Sequence, residues 1–200
     1  MFEITKTTHK LQKVQLDGYE RNSPLNFSSI VLVSDNMLLG IISDTHDHAK
    51  RTARAVQLFS DAGVEAIVHC GDICEPYILT LLAETPTYFV LGNNDNEPEL
   101  KTACRKHSYL EYLGEGGIVT LGGKRLAVTH GHLGRTTREL LSQKPDYLLS
   151  GHTHVAHHEM VQGVTCINPG ALHRVSEHTA AVLNLATNEL NWLTIPKPDP

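Results

Sequence analysis

Carboxylate, carboxamide and imidazole side chains gather in five short clusters along this chain: Asp44-Thr45-His46, Gly71-Asp72, Gly92-Asn93-Asn94-Asp95, Thr129-His130-Gly131-His132 and Gly151-His152-Thr153-His154. Their donor atoms form a mixed oxygen and nitrogen set that suits Mn2+, Fe2+, Zn2+, Co2+ or Ni2+. Taken singly, each cluster has a plain structural explanation. Asp-x-His occurs in surface turns, Gly-Asp opens ordinary loops, Asn93 fits an Asx turn, and a histidine at a strand end is often just a satisfied polar residue. Their shared position sets them apart, because each cluster follows a short apolar run of strand length. Loop composition does not account for that repeated placement, whereas a metal centre on one rim of a sheet does.

The elements behind the clusters alternate strand and helix. Leu38–Ser43, Ala66–His69 and Thr87–Leu91 read as buried strands. A helix joins the first two, with Ala49, Thr52, Ala53, Val56 and Phe59 recurring at helical spacing and Lys50, Arg51, Arg54 and Gln57 outward. Asp47 is placed to cap this helix and Gly63 to end it, and Pro76 stands where a first helical turn tolerates proline. Such βαβ units bring the C-terminal ends of parallel strands to one edge, where open α/β sheets gather ligands. Further on, Gly116–Leu121 and Lys124–Thr129 flank Gly122-Gly123, a hairpin signal. A helix over Thr136–Gln143, with Thr137, Leu140 and Leu141 inward, stops before Pro145. Strands follow at Tyr147–Leu149, Glu159–Val161, Val164–Ile167, Ala180–Leu185 and Glu189–Ile195. The pattern predicts an α/β protein of two packed β-sheets with helices outside.

Composition narrows the function classes. Two hundred residues with 40% hydrophobic content suffice for one sizeable core. A net charge of −5 and a pI near 6.2 argue against a broad basic face for nucleic acid or anionic lipid. Cys70, Cys74, Cys104 and Cys166 lack the paired spacing of a secreted disulfide framework, so a reducing, cytoplasmic setting is expected. Residues 1–36 contain no run long enough for a signal-peptide core or a membrane span. They read as a loosely attached extension or as a segment preceding a true start at Met37. The catalytic domain is expected over 37–196, with 197–200 as a tail. No heptad or apolar stripe marks an interface, which leaves a homodimer open.

The ordered series Asp44-x-His46, Gly71-Asp72, Gly92-Asn93-x-Asp95, His130 and Gly151-His152-x-His154 resembles the calcineurin-like metallophosphoesterases. With Ile167-Asn168-Pro169-Gly170, the compact chain is similar to their small YfcE-like phosphodiesterase branch. The resemblance runs from Leu38 to about Ile195 and implies a four-layer αββα sandwich of two mixed sheets flanked by helices. It also implies two divalent ions, Mn2+ first among them, one held by Asp44, His46, Asp72 and His154 and the other by Asp72, Asn93, His130 and His152. The implied reaction is hydrolysis of a small phosphodiester by in-line attack of a metal-bridging hydroxide. Two divalent ions set against the carboxylates of Asp44 and Asp72 leave a net charge of about +2, an anion trap in an acidic protein. No serine or cysteine with a nucleophile's partner is evident.

One position departs from the larger relatives, which carry a histidine after the metal-binding asparagine. Here it is Asn94, so acid assistance from that residue is absent and His132 becomes the candidate substitute, against a plain contact to His130. Asp95 is expected to orient a ligand. His48, His69, His157 and His158 read as structural, and Arg174 as solvated or as a phosphate contact. Two alternatives stand beside the phosphodiesterase reading. One is a phosphomonoesterase or nuclease on the same fold. The other is a non-catalytic scaffold like the retromer subunit of this fold, whose metal motifs are degraded.

Overall fold

The computed structural model describes residues 36–196. All but Asn36 of the expected N-terminal extension, and the tail at 197–200, lie outside the described residues. Eleven strands and four helices follow one another in the order β1(Leu38–Ile42), α1(Ala49–Ala62), β2(Ala66–His69), α2(Pro76–Leu82), β3(Thr87–Phe89), α3(Glu97–Cys104), β4(Leu110–Tyr112), β5(Gly116–Leu121), β6(Lys124–Thr129), α4(Gly134–Ser142), β7(Tyr147–Leu149), β8(His157–Val161), β9(Val164–Asn168), β10(His178–Asn184) and β11(Leu190–Ile195) among those residues. The first sheet runs β11-β10-β1-β2-β3-β4 and the second β5-β6-β7-β9-β8.

Both sheets are mixed, and both keep a parallel centre. β1 to β4 are parallel, with Ile42 beside His69 and His69 beside Phe89, so these strands end level with one another. In the second sheet β6, β7 and β9 are parallel, with Val128, Leu149 and Ile167 in line, and antiparallel β5 and β8 close the edges.

Strand alternation divides the apolar residues among three cores. Leu39, Ile41, Val68 and Val90 point from the first sheet into a central layer that also receives Leu126, Val128, Leu149 and Ile167 from the second. The opposite faces of the same strands present Ile42, Ile67 and Phe89 to Ala55 and Phe59 of α1, Ile78, Leu79 and Leu82 of α2, and Leu100 and Ala103 of α3. On the far side, Leu140 of α4 packs with Ala127, Leu148, Val164 and Cys166. The result is the expected four-layer αββα sandwich.

Several boundaries differ from the sequence reading. The N-cap of α1 is His48 rather than Asp47, because Asp47 sits at φ 64° and its Oδ1 accepts the Glu75 backbone N–H at 2.8 Å. In the same helix Ala55 is buried and Ala53 exposed, which completes the Thr52, Ala55, Phe59 stripe. β3 ends at Phe89 rather than Leu91. Helix α3 and strand β4 were not expected. Only Leu100 and Ala103 of α3 and Leu110 of β4 are buried, too few to leave a period in the sequence. No described helix is long and apolar enough to cross a membrane.

Candidate metal centre

The level ends of the parallel strands form two rims that face each other. From the first sheet come the loops carrying Asp44 and His46 after β1, Asp72 after β2 and Asn93 after β3. The second sheet contributes His130 after β6, and His152 and His154 after β7. Backbone hydrogen bonds tie the loops pairwise: the Asp44 N–H donates to Gly71 O at 3.0 Å, the His46 N–H to Asp72 O at 3.1 Å and the Gly151 N–H to His130 O at 3.0 Å. Asp44, His46, Asp72, His152 and His154 all adopt positive φ, between 38° and 69°. Asp and His visit this region more readily than most side chains, and such conformations persist where the surroundings enforce them, as at ligand clamps.

The side chains converge across the gap between the sheets. His154 Nε2 lies 3.1 Å from Asp44 Oδ1, and His46 Nε2 lies 3.9 Å from the same oxygen. Asp72 Oδ2 sits 3.3 Å from His46 Nε2 and 3.4 Å from His130 Nε2. Two groups therefore keep their donor atoms within 4.8 Å of one another: Asp44, His46 and His154, and Asp44, Asp72 and His130. The His152 ring stands edge-on to His130 at 5.1 Å between centroids, while Asn93 is exposed at the rim.

Buried atoms left without hydrogen bonds show that these residues fit a cation. Asp44 Oδ1, His46 Nε2 and His130 Nε2 face one another at the distances above yet complete no hydrogen bond. Buried polar groups in proteins are as a rule satisfied, so three orphaned lone-pair atoms around one point mark a place for a cation. His130 Nδ1 donates to Cys70 O at 2.8 Å, which leaves Nε2 as the free lone pair. Burial alone would lower the His130 pKa, but the facing Asp72, with Asp44 nearby, outweighs burial and raises it. Burial would likewise raise Asp72, yet the facing His130 imidazole and two hydrogen bonds from Asn94 hold its carboxyl well below the usual carboxylate range. The field here favours a positive charge between them.

A second layer of polar contacts fixes the loops. The half-buried Asp95 carboxylate accepts backbone N–H groups from Gly92 at 2.7 Å, Cys74 at 2.6 Å and Asp72 at 3.0 Å. It thus knots the β2 and β3 loops together through their backbones. A Cβ on Gly92 would collide with the Asp72 carboxylate, so only glycine lets that carboxylate lie against the β3 loop. On the opposite rim, Asn168 Nδ2 donates to Gly151 O at 2.8 Å and to Thr153 Oγ1 at 3.0 Å. Its Oδ1 accepts the Gly170 N–H at 3.0 Å. One carboxamide thereby shapes the turn that presents His152 and His154.

Residues 37–188 match the calcineurin-like phosphoesterase superfamily domain. The chain belongs to that superfamily. It is 32% identical over 143 residues to a phosphodiesterase of Methanocaldococcus jannaschii, covering 67% of this chain and 83% of that protein. The solved structure of an archaeal phosphodiesterase superposes with a TM-score of 0.73 at 27% identity, over 79% of this chain and 99% of that one. YfcE of E. coli, a phosphoesterase, shares the fold at 21% identity and a TM-score of 0.56, over 80% of this chain and 100% of that one. The chain is accordingly a divalent-metal-dependent phosphoric ester hydrolase.

Within this calcineurin-like phosphoesterase, two positions near the metal centre gain roles that the sequence did not reveal. Asn94, which stands where larger relatives have a histidine, donates through its backbone N–H to Asp72 Oδ1 at 2.9 Å and through Nδ2 to Oδ2 at 2.8 Å. His173, in the loop after β9, packs its ring 4.4 Å from that of His46 and shares a 2.8 Å hydrogen bond with His48. Only long-range contacts assemble this group, so no local spacing signals it. His132 lies 5.3 Å from His130 and 6.2 Å from His152, ring to ring, and its Nδ1 is buried without a partner. Burial, together with those two histidines, lowers its pKa. His69 is structural: its Nδ1 accepts the Gly71 N–H and its Nε2 pairs with Thr45 Oγ1. His157, His158 and Arg174 are exposed.

Proposed function

We infer that this phosphoesterase hydrolyses small phosphodiesters at a dinuclear centre. Asp44, His46, Asp72 and His154 would hold one divalent ion, and Asp72, Asn93, His130 and His152 the other, with Mn2+ the preferred metal. The single observation that carries this reading is Asp72 Oδ2, placed 3.3 Å from His46 Nε2 and 3.4 Å from His130 Nε2, as a bridging carboxylate requires. Two such ions supply an activated water and charge neutralisation for in-line displacement at phosphorus.

The chain's own residues do the rest. Asp44 and Asp72 confine the negative charge to the floor of the site. His130 keeps its Nε2 lone pair aimed inward through its bond to Cys70 O. Asn94 steadies Asp72 where a histidine would otherwise meet the leaving group, which favours diesters with good leaving groups. His132, with its lowered pKa, serves the leaving oxygen as a hydrogen-bond partner more readily than as a proton store. The net acidic composition supports a small soluble diester over a nucleic-acid polymer. All four cysteines are free thiols, which supports a cytoplasmic setting.

Hydrolysis of a chromogenic diester and its matching monoester by metal-stripped protein, with and without Mn2+, tests the reading. Mn2+-dependent cleavage that favours the diester and falls on the order of 10^2–10^3-fold in Asp72→Asn is expected. Faster monoester cleavage would make the protein a phosphomonoesterase, and no cleavage with ions bound would make it a scaffold.

A further inference from the structure

His46 and His130 face the same Asp72 oxygen but are held in different ways. Metal-binding histidines usually fix their orientation by donating the other ring N–H to a carbonyl or carboxylate, and His130 does so at Cys70 O. Among the described residues His46 has no such partner. Its Nδ1 meets only Cys74 Sγ at 3.5 Å, and sulfur is both a weak donor and a weak acceptor, so this contact sets neither tautomer nor ring plane firmly.

What bears on the His46 ring is the loop after β9. The His173 ring packs against it at 4.4 Å between centroids and 36° between planes. His173 Nδ1 is in turn hydrogen-bonded to His48 Nε2 at 2.8 Å, at the start of α1. One turn further along α1, Arg51 Nη1 donates to Leu172 O at 2.8 Å, and the Leu172 N–H donates to Asp44 O at 3.2 Å. Leu172, which precedes His173, is therefore anchored through both of its backbone groups, its carbonyl to α1 and its N–H to the loop after β1 that carries the metal-binding motif. His173 thus has a hydrogen-bonded partner in His48 and a fixed backbone before it.

We propose that His173, pinned by His48, is a positioning residue for His46 and sets the cation affinity of the Asp44, His46 and His154 position. The proposal rests on the dinuclear reading. It assigns to face packing the task that a carbonyl performs for His130, and it limits the effect to one of the two ion positions.

Titration of metal-stripped full-length protein with Mn2+, following free Mn2+ by electron paramagnetic resonance, reads the two binding steps. Variants His154→Ala and His130→Ala assign each step to its position. His173→Ala is expected to weaken the His154-dependent step by roughly 10–100-fold, the usual cost of losing an orienting partner, and to leave the His130-dependent step unchanged. His173→Phe keeps a ring against His46 and is expected to restore most of the affinity, whereas His173→Asn, polar but without a ring, is not. Equal weakening of both steps, or Phe and Asn behaving alike, overturns the proposal. Wild-type protein that binds fewer than two ions fails the dinuclear reading and the proposal with it. Two ions in the wild type and an unaltered His173→Ala titration fail the proposal alone.

Discussion

The two rims of the metal centre are built from different materials. The rim of the first sheet supplies both carboxylates, Asp44 and Asp72, and ties its loops with a dense set of hydrogen bonds in which Asp95 alone accepts three backbone N–H groups. The rim of the second sheet supplies imidazoles, His130, His152 and His154, and its β7 turn is held by the Asn168 carboxamide together with the Gly151 N–H bonded to His130 O and the His152 N–H bonded to Asp44 Oδ2. Both carboxylates come from one sheet, and three of the four candidate imidazoles from the other. Neither sheet presents a complete ligand set, so the centre depends on the central apolar layer that holds the sheets face to face. Damage to the first rim should change the chemistry, and damage to the second should loosen binding.

Asp72→Asn attacks the charged rim directly. It removes the carboxylate charge next to both His46 and His130, and kcat for a diester is expected to fall on the order of 10^2–10^3-fold, the scale of losing one preorganised electrostatic contact to the transition state. Asn168→Ala attacks the opposite rim without touching charge. It frees the turn at Gly151 and Thr153, and Mn2+ affinity measured calorimetrically is expected to drop roughly 10–100-fold, as for other supports behind a metal ligand. An Asn168→Ala protein with unchanged Mn2+ affinity would show that the second rim is as firmly built as the first.

A smaller effect separates the rims through pH. Burial, with His130 nearby, lowers the His69 pKa to about 3, below the 6.5 of an exposed histidine. A histidine depressed in the folded state stabilises the fold above its unfolded pKa, and that contribution is lost as pH falls toward the folded value, because the unfolded chain takes up the proton first. Metal-free protein should therefore lose stability between about pH 6.5 and pH 3, with His69 contributing a slope approaching 1.4 kcal/mol per pH unit. His69→Asn should remove that share of the slope in urea melts. The smallest effect is expected for His132→Ala, because His132 lies beside ligands rather than among them. Diester hydrolysis should fall less than about tenfold with a good leaving group and more with a poor one, and equal losses for both would remove His132 from leaving-group chemistry.

Strand and helix order were legible in the sequence wherever apolar residues recur, from Leu38 through Phe59 and again from Gly116 to Thr129. The clusters at strand ends pointed to one rim because parallel strands must end together, and Asp44, His46, Asp72, His130 and His154 do converge. Helix α3 and strand β4 escaped because two or three buried residues leave no period. His173 escaped for another reason, as did the side-chain role of Asn168, which was legible only as part of the Asn168-Pro169-Gly170 motif. Each works across more than a hundred or about fifteen residues, on His48 and Thr153 respectively, and such pairings exist only after folding. Asn94 was legible as a departure but not as a clamp on Asp72, since its two hydrogen bonds require the β2 and β3 loops to lie side by side.

Anomalous diffraction from crystals of the Mn2+-loaded protein tests the central claim most directly. Two peaks about 3.5–4 Å apart, with the Asp72 carboxylate between them, one against Asp44, His46 and His154 and the other against His130 and His152, are the predicted result. A single peak at saturating Mn2+, or two peaks confined to the loops of one sheet, would contradict a centre built jointly by the two rims.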